Sequence, residues 1–252
     1  MAETVCAQCS GTGWRIEERD GISGAVRCDC RDVERTHEIE EKSNIPELYR
    51  DASLTNFVLP ADNPIAQSAL ATVVVTVRSY AREFPALSKR GLLFVGDPGT
   101  GKTHLAVAAL RILMSRGFGG LFFDYQSLLE KIRSGYDPAS NSSSREAYQS
   151  ALDADILLLD DLGAHRVTDW VEDTVTSIIT HRCNNRKPLI ATTNLPDTDG
   201  GSPVFDRTTG ETARTKVTLG ERIGARAKSR LYEMCRIVRM PQIEDYRQKK
   251  AR

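Results

Sequence analysis

GDPGTGKT, residues 96–103, is the stretch on which the fold turns. Its glycines let the backbone curl so that successive N–H groups converge on one point, and the spacing G-x-x-x-x-G-K-T is that of a phosphate-binding loop. Gly96, Asp97, Pro98, Gly99, Thr100, Gly101, Lys102, Thr103 and His104 make up the candidate cradle. Lys102 is placed to reach the β- and γ-phosphates of ATP, and Thr103 to offer its hydroxyl to Mg2+. His104 falls in the first turn of the helix after the loop. The flanks suit the loop: GLLFV (91–95) reads as a strand, and Thr103 to about Met114 as an amphipathic helix whose positive N-terminal end faces the phosphates.

Further out, LFFD (121–124), ILLLD (156–160), LIATT (189–193) and IVRM (237–240) are nearly continuously apolar, as strands covered on both faces are. Amphipathic stretches between them predict an α/β fold with a central parallel five-stranded sheet. Residues 65–84 place apolar side chains at helical spacing despite a run of valines. The segments 138–146 and 196–216, rich in Ser, Thr, Gly and Asp, are expected to be loops.

Magnesium at such a loop calls for an acid on a neighbouring strand. ILLLDDLG supplies Asp160 at a strand end, with Asp161 next to it to orient or deprotonate water. The same two acids also suit a simple turn. Asn194, at the carboxyl end of LIATT, is placed to sense the γ-phosphate through its amide, because ligands in these sheets gather at strand ends. It equally suits the turn before Leu195-Pro196.

With 252 residues and 40% hydrophobic content, the chain can bury one substantial core and carry a small appendage. Its 34 basic and 34 acidic residues leave no global basic field, so a nucleic-acid partner must meet a local patch. The start lacks the basic and apolar blocks of a signal peptide, and no apolar run approaches the ~20 residues that span a bilayer, so a cytoplasmic location without membrane contact is expected. There thiols stay reduced, which favours metal over disulfide for the cluster Cys6, Cys9, Cys28 and Cys30. The spacing C-x2-C-x18-C-x-C offers four thiolates to tetrahedral zinc, and a metal staple explains how so short a segment folds. An iron–sulfur cluster or a redox role would use the same residues. Cys183 and Cys235 are solitary and are expected to be buried structural residues. The charged stretch RDVERTHEIEEK (31–42) reads as a solvated helical linker. The expected division is a zinc-binding module at 1–32, a linker at 33–44 and an ATPase domain at 45–252.

Taken in order, IPELYRDASLTNF, GLLFVGDPGTGKTHLA, LFFDYQSLLEKI, ILLLDDLG, KPLIATTNL and GERIGARAKSRL resemble the AAA+ ATPases of the DnaC/DnaI helicase loader family and the related IstB transposition helpers. The resemblance covers about residues 45–250. It implies an AAA+ P-loop three-layer fold and an ATP site shared between subunits of an ATP-dependent oligomer, with an arginine from one protomer completing its neighbour's site. Arg222, Arg226 and Arg230 recur every four residues and so are expected on one helical face; matching to the family segment points to Arg230 as the finger and Arg226 as its neighbour. The family's separate helical lid is expected to be absent or vestigial, which leaves Arg247 as the candidate for its sensor role. The resemblance also implies single-stranded DNA contact through YQSLLEKIRSGY (125–136), where Lys131 and Arg133 can meet phosphates and Tyr136 can stack on a base. Loaders of the DnaI type carry an N-terminal zinc-binding module, whereas IstB-like helpers usually do not. The implied partner is therefore a hexameric replicative helicase. A transposase helper, or a zinc-dependent adaptor with a slow ATP switch, is the alternative.

Overall fold

The computed structural model describes residues 6–19, 22–30, 38–134, 143–197 and 217–250. Tyr136, residues 33–37 of the expected linker, and most of 138–146 and 196–216 lie outside the described residues. A two-stranded antiparallel hairpin, β1 (Trp14–Arg19) and β2 (Ile22–Arg27), comes first. Five parallel strands then form one sheet: β3 (Gly91–Val95), β4 (Gly120–Asp124), β5 (Ile156–Asp160), β6 (Leu189–Thr193) and β7 (Cys235–Arg239), in the order β4-β5-β6-β3-β7.

Side-chain alternation along these strands divides the core in two. Leu92, Phe94, Leu158 and Ile190 face one layer, built with α1 (Pro64–Glu83) and α2 (Lys102–Ser115). Leu93, Val95, Leu157, Leu159 and Ala191 face the other. That layer is built with α3 (Tyr125–Ser134), α4 (Ser143–Asp153), α5 (Asp169–Asn184), α6 (Leu219–Ile223) and α7 (Ala225–Met234). Helices on both faces explain why the strands are apolar throughout rather than alternating, and each fully buried Leu or Phe contributes roughly 1.5–3 kcal/mol. The valine run lies inside α1 because Asn63 caps the helix through Ala66 N–H at 3.0 Å, and because Val73 and Val77 are buried. A short helix α8 (Tyr246–Lys250) comes after β7.

Two expectations need correction. The strands beside β3 are β6 and β7, not the acid-bearing β5. Asp160 is thus two strands from the phosphate loop, roughly 10 Å in the hydrogen-bonding direction, with the strand leading to Asn194 between them. Residues 38–44, read as part of a solvated linker, are instead seated on the sheet edge. Phe122 N–H donates to Ser43 O at 2.7 Å, Ser43 is fully buried, and Arg111 of α2 meets Glu40 at 3.1 Å. The cause is β4, an edge strand whose outward backbone groups need partners.

Arg182 ties the second layer to the sheet. Fully buried, its guanidinium donates to the carbonyls of Ala151 at 2.9 Å, Leu152 at 3.3 Å, Asp155 at 3.4 Å and Pro188 at 2.6 Å. One planar cation thereby serves carbonyls at the end of α4 and just before β6. Arg182→Met should lower the unfolding free energy in urea titrations by about 3 kcal/mol, since several buried carbonyls lose their donor. Arg182→Lys should rescue little of this, because an ammonium cannot span the same fork.

Candidate functional site

The phosphate loop joins β3 to α2 with Gly99 at φ 72° and Gly101 at φ 90°, left-handed conformations that glycine adopts without strain. Lys102 is 5% exposed and donates to Asp97 O at 2.8 Å, while the Thr100 hydroxyl donates to the same carbonyl at 2.8 Å. Burial pushes the Lys102 pKa down, and Asp161, Asp160 and Asp97 oppose that shift. The lysine is buried with one carbonyl as its hydrogen-bond acceptor, an arrangement that an anionic phosphate would complete.

Across β6, Thr103 Oγ1 donates to Asp160 at 2.9 Å, and Thr192 Oγ1 donates to the same Oδ1 at 2.6 Å. Burial raises the Asp160 pKa, and the two hydroxyls hold it back. Thr192 also accepts Asp161 N–H at 3.0 Å. Asp161 adopts φ 53°, unusual for a non-glycine residue, and Asn194 Nδ2 donates to its Oδ1 at 2.9 Å. Lys102, Thr103, Asp160, Asp161 and Asn194 therefore share the carboxyl ends of β3, β5 and β6. Thr192 escaped the sequence reading; its position in an apolar strand, two residues before the candidate sensor, was the available signal.

A second missed element is the 51–57 segment. His104 Nε2 lies 2.9 Å from Ser53 O, and the His104 and Phe57 rings pack with centroids 5.4 Å apart. A Cβ at Gly101 would come within 2.5 Å of Phe57. His104 thus anchors a segment against the loop as well as occupying the first helical turn.

The arginine stripe is not continuous. Gly224, at φ 83°, separates α6 from α7, so Arg222 lies on a different helix from Arg226 and Arg230. Arg222 Nε is buried without a hydrogen-bond partner, whereas Arg226 is exposed. Arg230 donates to Glu233 at 2.6 Å and sits beside Cys183, which is only partly buried; Cys235 is fully buried. On α3, Lys131 lies over the Phe123 ring at 5.7 Å and Arg133 is exposed.

Cys6, Cys9, Cys28 and Cys30 converge, their sulfurs all within 4.8 Å of one another. Cys6–Cys28 and Cys9–Cys30 separations of 3.9 and 3.4 Å bracket the ~3.8 Å edge of a tetrahedron with 2.3 Å zinc–sulfur bonds. Gly13 N–H donates to Cys9 Sγ at 3.3 Å. Burial disfavours the Cys9 thiolate, yet hydrogen bonds from Cys30 and from the Gly13 and Gly11 backbones outweigh it and bring the pKa down to about 7. Cys30 is raised, chiefly by its bond to Cys9. Four sulfurs converging at these separations form a donor set that a divalent metal such as zinc would complete.

A family model described as IstB-like ATP binding protein matches residues 65–213, more than half of the chain. The chain belongs to that family. Its fold is that of the AAA+ P-loop ATPases. The phage-like element PBSX protein XkdC of Bacillus subtilis (strain 168) is 23% identical over 236 residues, covering 91% of this chain and 79% of that protein. The replicative helicase loader DnaC of Buchnera aphidicola subsp. Baizongia pistaciae (strain Bp) is 25% identical over 154 residues, 61% of this chain and 60% of that protein. A crystal structure of the DnaC helicase loader superposes with a TM-score of 0.60 at 30% identity, over 78% of this chain and all of that one. Among the described residues, no helix is long and apolar enough to cross a membrane.

The cluster geometry generates a direct expectation. Purified reduced protein should carry about one zinc per chain, and Cys6→Ser plus Cys9→Ser should abolish it. Metal analysis that finds no zinc, or unchanged zinc in the double variant, would rule the metal out.

Proposed function

We propose that this member of the family is an ATP-dependent loader of a hexameric replicative helicase, which binds ATP, single-stranded DNA and the helicase and works as a self-assembling oligomer. One observation carries the reading: a phosphate loop whose Thr103 hydroxyl meets the Asp160 carboxylate is joined in the same chain to four converging cysteines. Relatives named as helicase loaders support it. The second reading, a transposase helper, draws support from the family model itself. Pull-downs with a hexameric helicase and with a transposase separate the two.

Thr103 and Asp160 would hold Mg2+, which when bound offsets phosphate charge. The Gly96–Thr103 backbone and Lys102 bind and orient the triphosphate, and Lys102 leaves the Asp97 carbonyl to do so. Asp161 takes up the proton of the attacking water, and the Asn194 amide keeps its carboxylate in position. Arg226 and Arg230, on the surface of α7, are offered to a neighbouring protomer's site, with Arg230 released from Glu233 on assembly. Arg247, whose charge is felt at Lys102, would take the sensor role. Lys131 and Arg133 would meet the DNA backbone. The four-cysteine module and its linker would engage the helicase, and the chain would act in the cytoplasm.

Lys102→Ala should weaken ATP binding at least tenfold, whereas Asp161→Ala should retain ATP and lose turnover. Arg230→Ala should bind ATP normally and lose most turnover, as trans arginines elsewhere supply ~10³–10⁵ in rate. Mixing Arg230→Ala with Asp161→Ala should restore part of the activity, because some interfaces regain both groups. A mixture that stays inactive while the subunits co-assemble rejects Arg230, and Arg226→Ala then takes its place in the same assay. Deleting residues 1–37, which keeps the Glu40 and Ser43 contacts with α2 and the sheet edge, should spare nucleotide binding and abolish helicase capture.

A further inference from the structure

Helix α7 carries Arg226 and Arg230, yet its own start does not hold it in place. Gly224, at φ 83° and ψ 150°, joins it to α6 in a conformation suited to glycine, so α6 does not fix the rotation of α7 about its axis. Side chains four residues apart form stripes along the helix. Arg226 and Arg230 make one stripe and reach the surface, and Ala227 and Leu231, both fully buried, make the next. Lys228 and Tyr232 make the third, on the far side of the buried stripe from the arginines. A methyl group and one leucine seat the helix on the core, but apolar burial is non-directional and sets its rotation only loosely.

Direction comes from the third stripe. The Tyr232 hydroxyl donates to Asp197 Oδ2 at 2.8 Å, with the Asp197 carbonyl a second acceptor at 3.0 Å. Asp197 is 5% exposed, and Arg239 of β7 donates to the same Oδ2 at 2.6 Å. Lys89, just before β3, donates to the Tyr232 carbonyl at 2.7 Å. A nearly buried carboxylate is costly unless it is paired and hydrogen-bonded, so Asp197, Tyr232 and Arg239 fix one another. Asp197 also ends a short run tied down step by step: the Thr193 hydroxyl donates to Leu162 O at 2.8 Å, Asn194 donates to Asp161, and Pro196 O accepts Leu219 N–H at 2.9 Å. The rotation of α7 is thereby referenced to the end of β6, the strand end that also borders the candidate nucleotide site.

We infer that Tyr232 and Asp197 are positioning residues for the arginine given in trans: their hydrogen bond sets the rotation of α7, and with it the direction in which Arg226 and Arg230 leave the protomer toward a neighbour's triphosphate. This rests on the trans-arginine assembly proposed above. Neither residue is assigned a contact with nucleotide. Without the bond, α7 stays seated by Ala227 and Leu231 but turns more freely, and a misplacement of about 1 Å at a reacting group costs on the order of 10²-fold in rate. The defect should therefore fall on the neighbour's turnover and not on the protomer's own affinity for ATP.

The test is ATP turnover by full-length chains, alone and mixed, with ATP affinity read from a fluorescent analogue. Tyr232→Phe keeps the ring and its packing while removing the hydroxyl, so kcat should fall about tenfold or more with KM and analogue affinity unchanged. Mixed with Asp161→Ala, it should turn over more ATP than the two variants do separately, since some interfaces then pair an intact Asp161 with an α7 that keeps its hydroxyl. Mixed with the inactive α7 arginine variant, Arg230→Ala or Arg226→Ala, it should recover nothing, because every α7 in that mixture is defective. Recovery in the arginine mixture, no recovery with Asp161→Ala while the subunits co-assemble, weakened ATP binding, or wild-type kcat for Tyr232→Phe would each overturn the inference. Wild-type turnover by both Arg226→Ala and Arg230→Ala would instead overturn the trans-arginine reading on which it rests.

Discussion

The contact of Thr103 with Asp160 at 2.9 Å spans the sheet from the start of α2 to the end of β5, across β6. Both groups are tied to regular elements: Thr103 by the first turn of a helix buried nearly all round, Asp160 by the last residue of a fully apolar strand. That constraint organises the rest. To bring a helix start and a distant strand end together, β6 must lie between them and must offer a side chain that hydrogen-bonds rather than repels a carboxylate. Thr192 does this, donating to Asp160 while accepting from Asp161 N–H. A valine at 192 would keep the shape and strand propensity but take one of two hydroxyl donors from the Asp160 carboxylate and leave Asp161 N–H without its acceptor.

The site is electrostatically unsettled in a directed way. Burial drives Lys102 and Asp160 toward their neutral forms; the carboxylates of Asp161, Asp160 and Asp97 oppose it at Lys102, and the Thr192 and Thr103 hydroxyls oppose it at Asp160. Buried charges of this kind are costly to a fold unless a ligand later shares them. Asp161 adds backbone strain, with φ at 53° stabilised from outside by Thr192 and Asn194. Such features concentrate where phosphate, metal and water would meet, and the two core layers beneath are conventionally packed.

Segments distant in sequence close around the loop. Residues 51–57 reach it through Ser53 and Phe57, and the strap after β7 reaches it through Met240 and Asp245. Residues 38–44 hold α2 and the sheet edge through Glu40 and Ser43. Residues 38–44 are therefore packed against the helix that begins at Lys102.

Much of this is legible in the sequence because its signals are local. A glycine-rich loop between an apolar run and an amphipathic one specifies strand, cradle and helix by backbone freedom and periodicity alone, and the apolar runs place all five strands to within two residues. Four cysteines in thirty residues announce their convergence, because so short a segment has little else to fold around. The order of the strands is not legible, since every parallel arrangement buries the same apolar runs; only packing both layers sets β6 beside β3. Nor is the break at Gly224, where a four-residue spacing of arginines looks continuous until a glycine at positive φ divides the helix. The partners of the site residues, Thr192, Ser53, Phe57 and Asp245, are equally hidden. Their roles come from proximity across the sheet and around the loop, and proximity between residues far apart in the chain is what tertiary structure alone decides.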